Sequence, residues 1–249
     1  MPREGQASIT RREDYQAPGF WIDTVDLVFD LDPQKTRVLN TMVCRRNPDV
    51  PAQAMRLHGE DLNLSRVLVN GQGTSFKIDG DQLVLENLPE GHETFTLEIF
   101  TICQPDQNTQ LSGLYVSQDS FFTQCEAEGF RRITYFLDRP DVLGVYTTRI
   151  EAEKAQAPVL LSNGNPVEAG DIAGTSRHYA VWHDPHPKPS YLFALVGGDL
   201  GVLDDTGHLR VVGRKKEMIV TPEGLNVFPE DVERVLNQLP GVRDSAVVG

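Results

Sequence analysis

The chain has 249 residues, 39% apolar and 24% charged, with Lys+Arg 23 against Asp+Glu 36 for a net charge of −13. That length buries a sizeable core unaided, and the acidic balance disfavours nucleic-acid and anionic-membrane partners. No apolar run reaches the ~20 residues of a membrane span, the polar start has no secretory core, and Cys44, Cys103 and Cys125 are too few and too scattered for a disulfide framework, so a cytoplasmic protein is expected.

Residues 1–18 are polar and end in Ala17-Pro18-Gly19, which reads as a flexible arm before the fold. Val25, Leu27, Phe29 and Leu31 then alternate with Asp26, Val28, Asp30 and Asp32, the period of a strand with one buried face. Asn70-Gly71 follows an apolar run and signals a hairpin, and Asp79-Gly80-Asp81 turns into Leu83-Val84-Leu85. Phe95, Leu97 and Ile99 alternate again. Further strands are expected at 132–137, 145–152, 158–162, 177–183 and 191–196, with a turn over residues 162–166 and no helix before residue 200. Many short strands with regular turns predict an antiparallel β-sandwich over 19–199.

Residues 200–249 read differently. Leu203 and Leu209 to Val212 flank a compact hairpin turn, and Met218 to Val220 predicts a strand. Pro229, Glu230 and Asp231 open a helix, with Val232, Val235, Leu236 and Leu239 at helical spacing and Pro240-Gly241 as its stop. Ala246 to Gly249 then begins another strand. The expectation is a truncated α/β segment.

Few residues carry legible chemistry. His92-Glu93 is followed by Thr96 where a zinc-binding His-Glu-x-x-His would need its second histidine. His183-Asp-Pro-His186 reads as a solvated loop broken by Pro185. Cys125 lies among Gln124, Glu126 and Glu128, whose charges raise a thiol pKa, so it reads as packed rather than nucleophilic. No dinucleotide or Walker sequence occurs. On a strand, Gln124, Glu126 and Glu128 would share a face, and two carboxylates with an amide can hold an ammonium group by charge-assisted hydrogen bonds. The alternative is a solvated acidic face paired with Arg131, Arg132 or Arg139.

Gly113-Leu-Tyr, Thr123 to Phe130, Ile133 to Asp141, Leu161 to Asn165 and Pro187 to Leu195 resemble the N-terminal domain of the bacterial aminopeptidase N family over about residues 10–200. That resemblance implies a saddle-shaped antiparallel β-domain that closes one side of the cleft of a zinc metallopeptidase. It implies that Glu126 binds the free amino terminus of a peptide and that Gln124 lines the first specificity pocket. The family's catalytic motifs and zinc ligands do not occur here. No catalytic residue, metal site or cofactor is therefore expected in this chain, zinc belongs to the intact parent enzyme, and the implied partners are peptide N-termini and the missing zinc domain.

Gly198 to Gly249 resemble the start of the C-terminal subdomain of adenylate-forming, acyl-CoA synthetase-type enzymes. There Asp199 and Arg214 match nucleotide-binding residues and Lys216 the hinge, although Gly197 replaces the usual threonine. Both families use the word Gly-Asp-Leu where the two resemblances meet. The reading is a chimeric or truncated aminopeptidase N β-domain, inactive alone. Its alternatives are a fragment of an ATP-dependent ligase and a non-enzymatic module that binds peptides or a partner.

Overall fold

The computed structural model describes residues 12–91 and 93–199, and beyond them the strand segments of 201–203, 209–211, 219–220 and 226–227. In chain order the strands are β1 (Phe20–Asp30), β2 (Thr36–Arg46), β3 (Met55–His58), β4 (Asn63–Val69), β5 (Gln72–Gly73), β6 (Lys77–Asp79), β7 (Gln82–Leu85) and β8 (Phe95–Cys103). They continue with β9 (Gly113–Ser117), β10 (Ser120–Gln124), β11 (Gly144–Glu153), β12 (Val159–Ser162), β13 (Asn165–Asp171), β14 (Arg177–Lys188) and β15 (Leu195–Gly198). Beyond these, β16 (Gly201–Leu203) pairs with β17 (Leu209–Val211), and β18 (Ile219–Val220) with β19 (Asn226–Val227). The C-terminal helix expected after Pro229 lies outside the described residues. No helix among the described residues is long and apolar enough to cross a membrane.

An eight-stranded sheet runs in the order β13-β14-β11-β1-β2-β8-β4-β5, beside a four-stranded sheet β12-β15-β10-β9 and a three-stranded sheet β3-β7-β6. The alternation in β1 is expressed as read: Val25, Leu27 and Phe29 are buried, and so is Leu31 just past its end. The matching faces of β2, β8 and β11 complete the wall with Val38, Met42, Leu97, Ile99, Tyr146 and Ile150. Leu57 and Leu83 from the three-stranded sheet, and Leu114, Phe121 and Leu195 from the four-stranded one, join the same apolar cluster. Asn70 and Gly71 form the two-residue turn between β4 and β5, both at positive φ (51° and 74°), which is why Asn-Gly stands there.

Three local expectations need correction. The large sheet is not wholly antiparallel, because β1 pairs with β11 in parallel from Thr24↔Val145 to Asp30↔Glu151. Residues 132–137 are not a strand. Phe130–Arg132 is a 3₁₀ turn, and only Phe136 bridges, exchanging backbone bonds with His58 (2.8 and 3.0 Å). The segment is apolar on both sides because it is buried all round, so its alternation marks no sheet face. At 191–196, Pro189 leads into a 3₁₀ turn at Ser190–Leu192 and the strand begins only at Leu195.

Candidate functional site

β10 ends at Gln124, opposite Gly113 of β9. The chain then turns over residues 126–129, closed by the Gly129 N–H donating to the Cys125 carbonyl at 2.8 Å. A Cβ on Gly129 would sit 2.3 Å from the Gln124 carbonyl oxygen, so the turn closes this tightly only on glycine. The Arg132 N–H donates to the Gly129 carbonyl at 3.0 Å and begins the 3₁₀ turn. Its first residue, Phe130, is fully buried against Phe136, Phe193 and Tyr146, with ring centroids 4.8, 5.3 and 6.2 Å away. An exposed turn is thus fastened at its far end to the aromatic core.

The charges beneath the turn are densely paired. Arg131 has a buried side chain, and its Nε donates to Asp138 Oδ2 at 2.9 Å while its backbone N–H reaches the same oxygen at 3.3 Å. Asp138, also buried, accepts the Ser190 hydroxyl on Oδ1 at 2.5 Å. Arg131 Nη2 meets Glu128 Oε1 at 3.2 Å, and Nη1 lies 3.9 Å from Glu60 Oε1. Arg132 binds Glu60 at 2.5 Å and Asp61. Two guanidinium groups therefore serve four carboxylates, leaving the surroundings of the turn electronegative before Glu126 is counted.

The expected site residues separate in this frame. Gln124 is half-buried at the end of β10, and its amide donates to the Glu126 backbone carbonyl at 3.4 Å. Glu126 and Glu128 are both exposed, but on a turn, so the expected common strand face does not exist. The strand stops at Gln124 because Cys125 goes into the core and its carbonyl is taken up by the turn. Glu128 is paired with Arg131, whereas no described cation pairs with the Glu126 carboxylate. Arg139, a candidate partner in sequence, is spent on Asp141.

Cys125 is packed, and burial, with Asp138 second, pushes its thiol far above the ordinary range. His183 and His186 lie inside β14 rather than in a loop. Pro185 is tolerated there because it falls opposite the irregularity between Gly144 and Tyr146, where no ladder bond is forfeited. Asp199 is exposed just past β15. Arg214 and Lys216 lie outside the described residues.

The sequence reading missed Asp138, seven residues beyond Arg131, and Ser190 and Glu60, which are distant in the chain. It named Arg131 only as one of three possible partners, although the three-residue spacing from Glu128 to Arg131 was a usable signal. Among the described residues no three His, Cys, Asp or Glu side chains converge as metal donors, and four of the carboxylates below the turn are already held by guanidinium groups. These residues do not fit a zinc ion.

Residues 24–192 match the family described as Peptidase M1 N-terminal domain. Aminopeptidase N of Escherichia coli (strain K12) is 52% identical over 209 residues, 83% of this chain but 23% of that protein, so the chain spans about a quarter of its relative's length. The crystal structure of Legionella pneumophila aminopeptidase A in complex with aspartic acid superimposes with a TM-score of 0.71 at 32% identity, covering 80% of this chain and 24% of that one. An M1 zinc metallopeptidase from Deinococcus radiodurans shares the fold, with a TM-score of 0.63 at 17% identity over 73% of this chain and 42% of that one. A stretch of 52 residues, 21% of the chain, is 50% identical to 9% of a long-chain-fatty-acid–CoA ligase of Escherichia coli O157:H7.

Proposed function

The chain belongs to the Peptidase M1 N-terminal domain family, and from that premise we propose that it is a substrate-positioning domain for the free amino terminus of a peptide. Glu126 accepts the ammonium group and Gln124 lines the space for the first side chain. The observation that carries this reading is the difference between two carboxylates two residues apart. Glu128 is ion-paired with Arg131, which it shares with Asp138, while Glu126 stands exposed on a fastened turn in an electronegative setting with no described cation beside it. A primary ammonium group carries three donors and one charge, which fits an exposed carboxylate with no described cation beside it.

The magnitude depends on what covers the turn. On the open surface both charges stay hydrated, and the pair is worth about 0.2–1 kcal/mol, or a few-fold in affinity. Charge-assisted bonds rise to about 1.5–3 kcal/mol once water is excluded. In aminopeptidase N-type relatives that closure, the zinc and the activated water would come from the part of the protein this sequence does not match.

The test is a titration of the chain with a tripeptide amide bearing a free amino terminus, against its N-acetylated counterpart. The free amine is expected to bind about threefold more tightly, in the range of an exposed pair, and Glu126→Gln to abolish the preference. An unchanged ratio in Glu126→Gln would remove Glu126 from the site. The ligase-like match spans only 21% of the chain and 9% of the ligase, and calorimetry with ATP is expected to give no binding heat.

A further inference from the structure

We infer that Glu128 is the positioning residue of this site: it fixes the direction in which Glu126 offers its carboxylate and does not itself hold the ammonium group. The inference rests on the reading of Glu126 as the ammonium acceptor.

The turn is held at two points. Gly129 is tied back to Cys125 through the backbone at 2.8 Å. Glu128 is tied forward to Arg131 at 3.2 Å through its side chain. Arg131 is a rigid post, because its side chain is 9% exposed and that of its partner Asp138 is 1% exposed. Asp138 is in turn held by Ser190 from the connection between β14 and β15, and the Glu60 N–H donates to the Arg131 carbonyl at 3.0 Å. Asp138 thus grips the guanidinium group that holds Glu128, Ser190 fixes Asp138, and Glu60 fixes the Arg131 backbone. Glu126 and Ala127 are the residues of the turn left between that grip and the end of β10.

Energetics separate positioning from stability. The Glu128 side chain is 68% exposed, so its ion pair contributes little to folding and its removal leaves the fold intact. What it contributes is order in the adjoining carboxylate, which a binding site needs to within a fraction of an ångström. The Arg131–Asp138 pair beneath is different: both groups are buried, and removing either strands a charge. Glu128 is therefore the member of the network at which orientation can be changed without unfolding the protein.

Glu128→Gln keeps an oxygen that accepts from Arg131 and discards the charge, whereas Glu128→Ala discards both. The experiment titrates the full chain and each variant with the free and N-acetylated tripeptide amides, and records the backbone amide resonances of Glu126 and Ala127 without ligand. The expected result is that Glu128→Ala brings the roughly threefold preference for the free amine close to one and shifts both resonances. Glu128→Gln should retain most of the preference and the native resonances. Equal loss in both variants with unmoved resonances would mean that Glu128 acts through its charge on the ligand, which overturns the inference. So would the absence of any effect in Glu128→Ala. If the unaltered chain shows no preference, the reading of Glu126 fails by itself, and the two resonances still decide whether Glu128 sets the turn.

Discussion

Arg139 forks onto Asp141 with bonds of 2.8 and 2.7 Å, and its Nη2 also donates to the Gln16 carbonyl at 2.7 Å. The Tyr15 hydroxyl donates to the same carboxylate at 3.1 Å, and Asn47 Nδ2 to the Pro18 carbonyl at 2.8 Å. The end of the N-terminal arm is therefore fixed to the domain from Tyr15 onward. The hydrogen bonds from Arg139 hold the Asp141 carboxyl below its ordinary value of 3.8. A carboxyl depressed by folding stabilises the protein above its unfolded pKa, and that contribution is lost as pH falls through the lower folded value. The difference in unfolding free energy between the native chain and Asp141→Asn should accordingly be constant above about pH 5 and shrink below pH 4. Urea titrations at pH 3, 4, 6 and 7 check this, and a pH-independent difference would refute it. The cysteines shift upward, because burial meets no compensating cation: all three are free and buried, and desolvation lifts the Cys103 thiol to about 12.

At the scale of elements, the turn over residues 126–129 depends on its last residue. Gly129→Ala places a methyl group against the Gln124 carbonyl, the Ser112 hydroxyl and the Cys125 backbone, all within 3.0 Å. Overpacking of this kind costs about 1–3 kcal/mol, so the variant should unfold at lower urea with an unchanged m-value and lose the free-amine preference. A native midpoint would show that the turn relaxes elsewhere. What sequence revealed here and what it hid have one physical origin. Alternation announced β1 because one of its faces is buried and the other is not. It misled at Ile133, Tyr135 and Leu137 because those residues and the ones between them are all enclosed, so periodicity carried no information about hydrogen bonding. It also placed Glu126 and Glu128 on one face by extending β10 past Cys125. The resemblance of Thr123 to Phe130 singled out Glu126, but its distinction from Glu128 needed Arg131, Asp138 and Ser190, which only the fold brings together.

Over the whole molecule, the large sheet consists of two antiparallel halves contiguous in sequence. The strands β1, β2, β8, β4 and β5 come from residues 20–103, and β11, β14 and β13 from 144–188. The intervening segment carries β9, β10, the turn and Phe130, and it touches both halves. Thr101 of β8 donates to the Ile133 carbonyl at 3.2 Å, and Phe130 packs on Tyr146 of β11. Among the described residues no three His, Cys, Asp or Glu side chains converge as metal donors. The 249 residues alone should give no zinc-dependent turnover of an amino-acid arylamide, and turnover by clean recombinant protein would overturn this. The two halves meet at the parallel ladder of β1 and β11, whose partners stand roughly 120 residues apart in the chain. During synthesis the first half can pair with itself long before β11 leaves the ribosome, so β1 waits with one edge open and its apolar face uncovered. The middle of the sheet thus stays open until residues 144–153 are made, and a nascent chain stalled before residue 153 is the species whose open β1 edge a chaperone would have to shield.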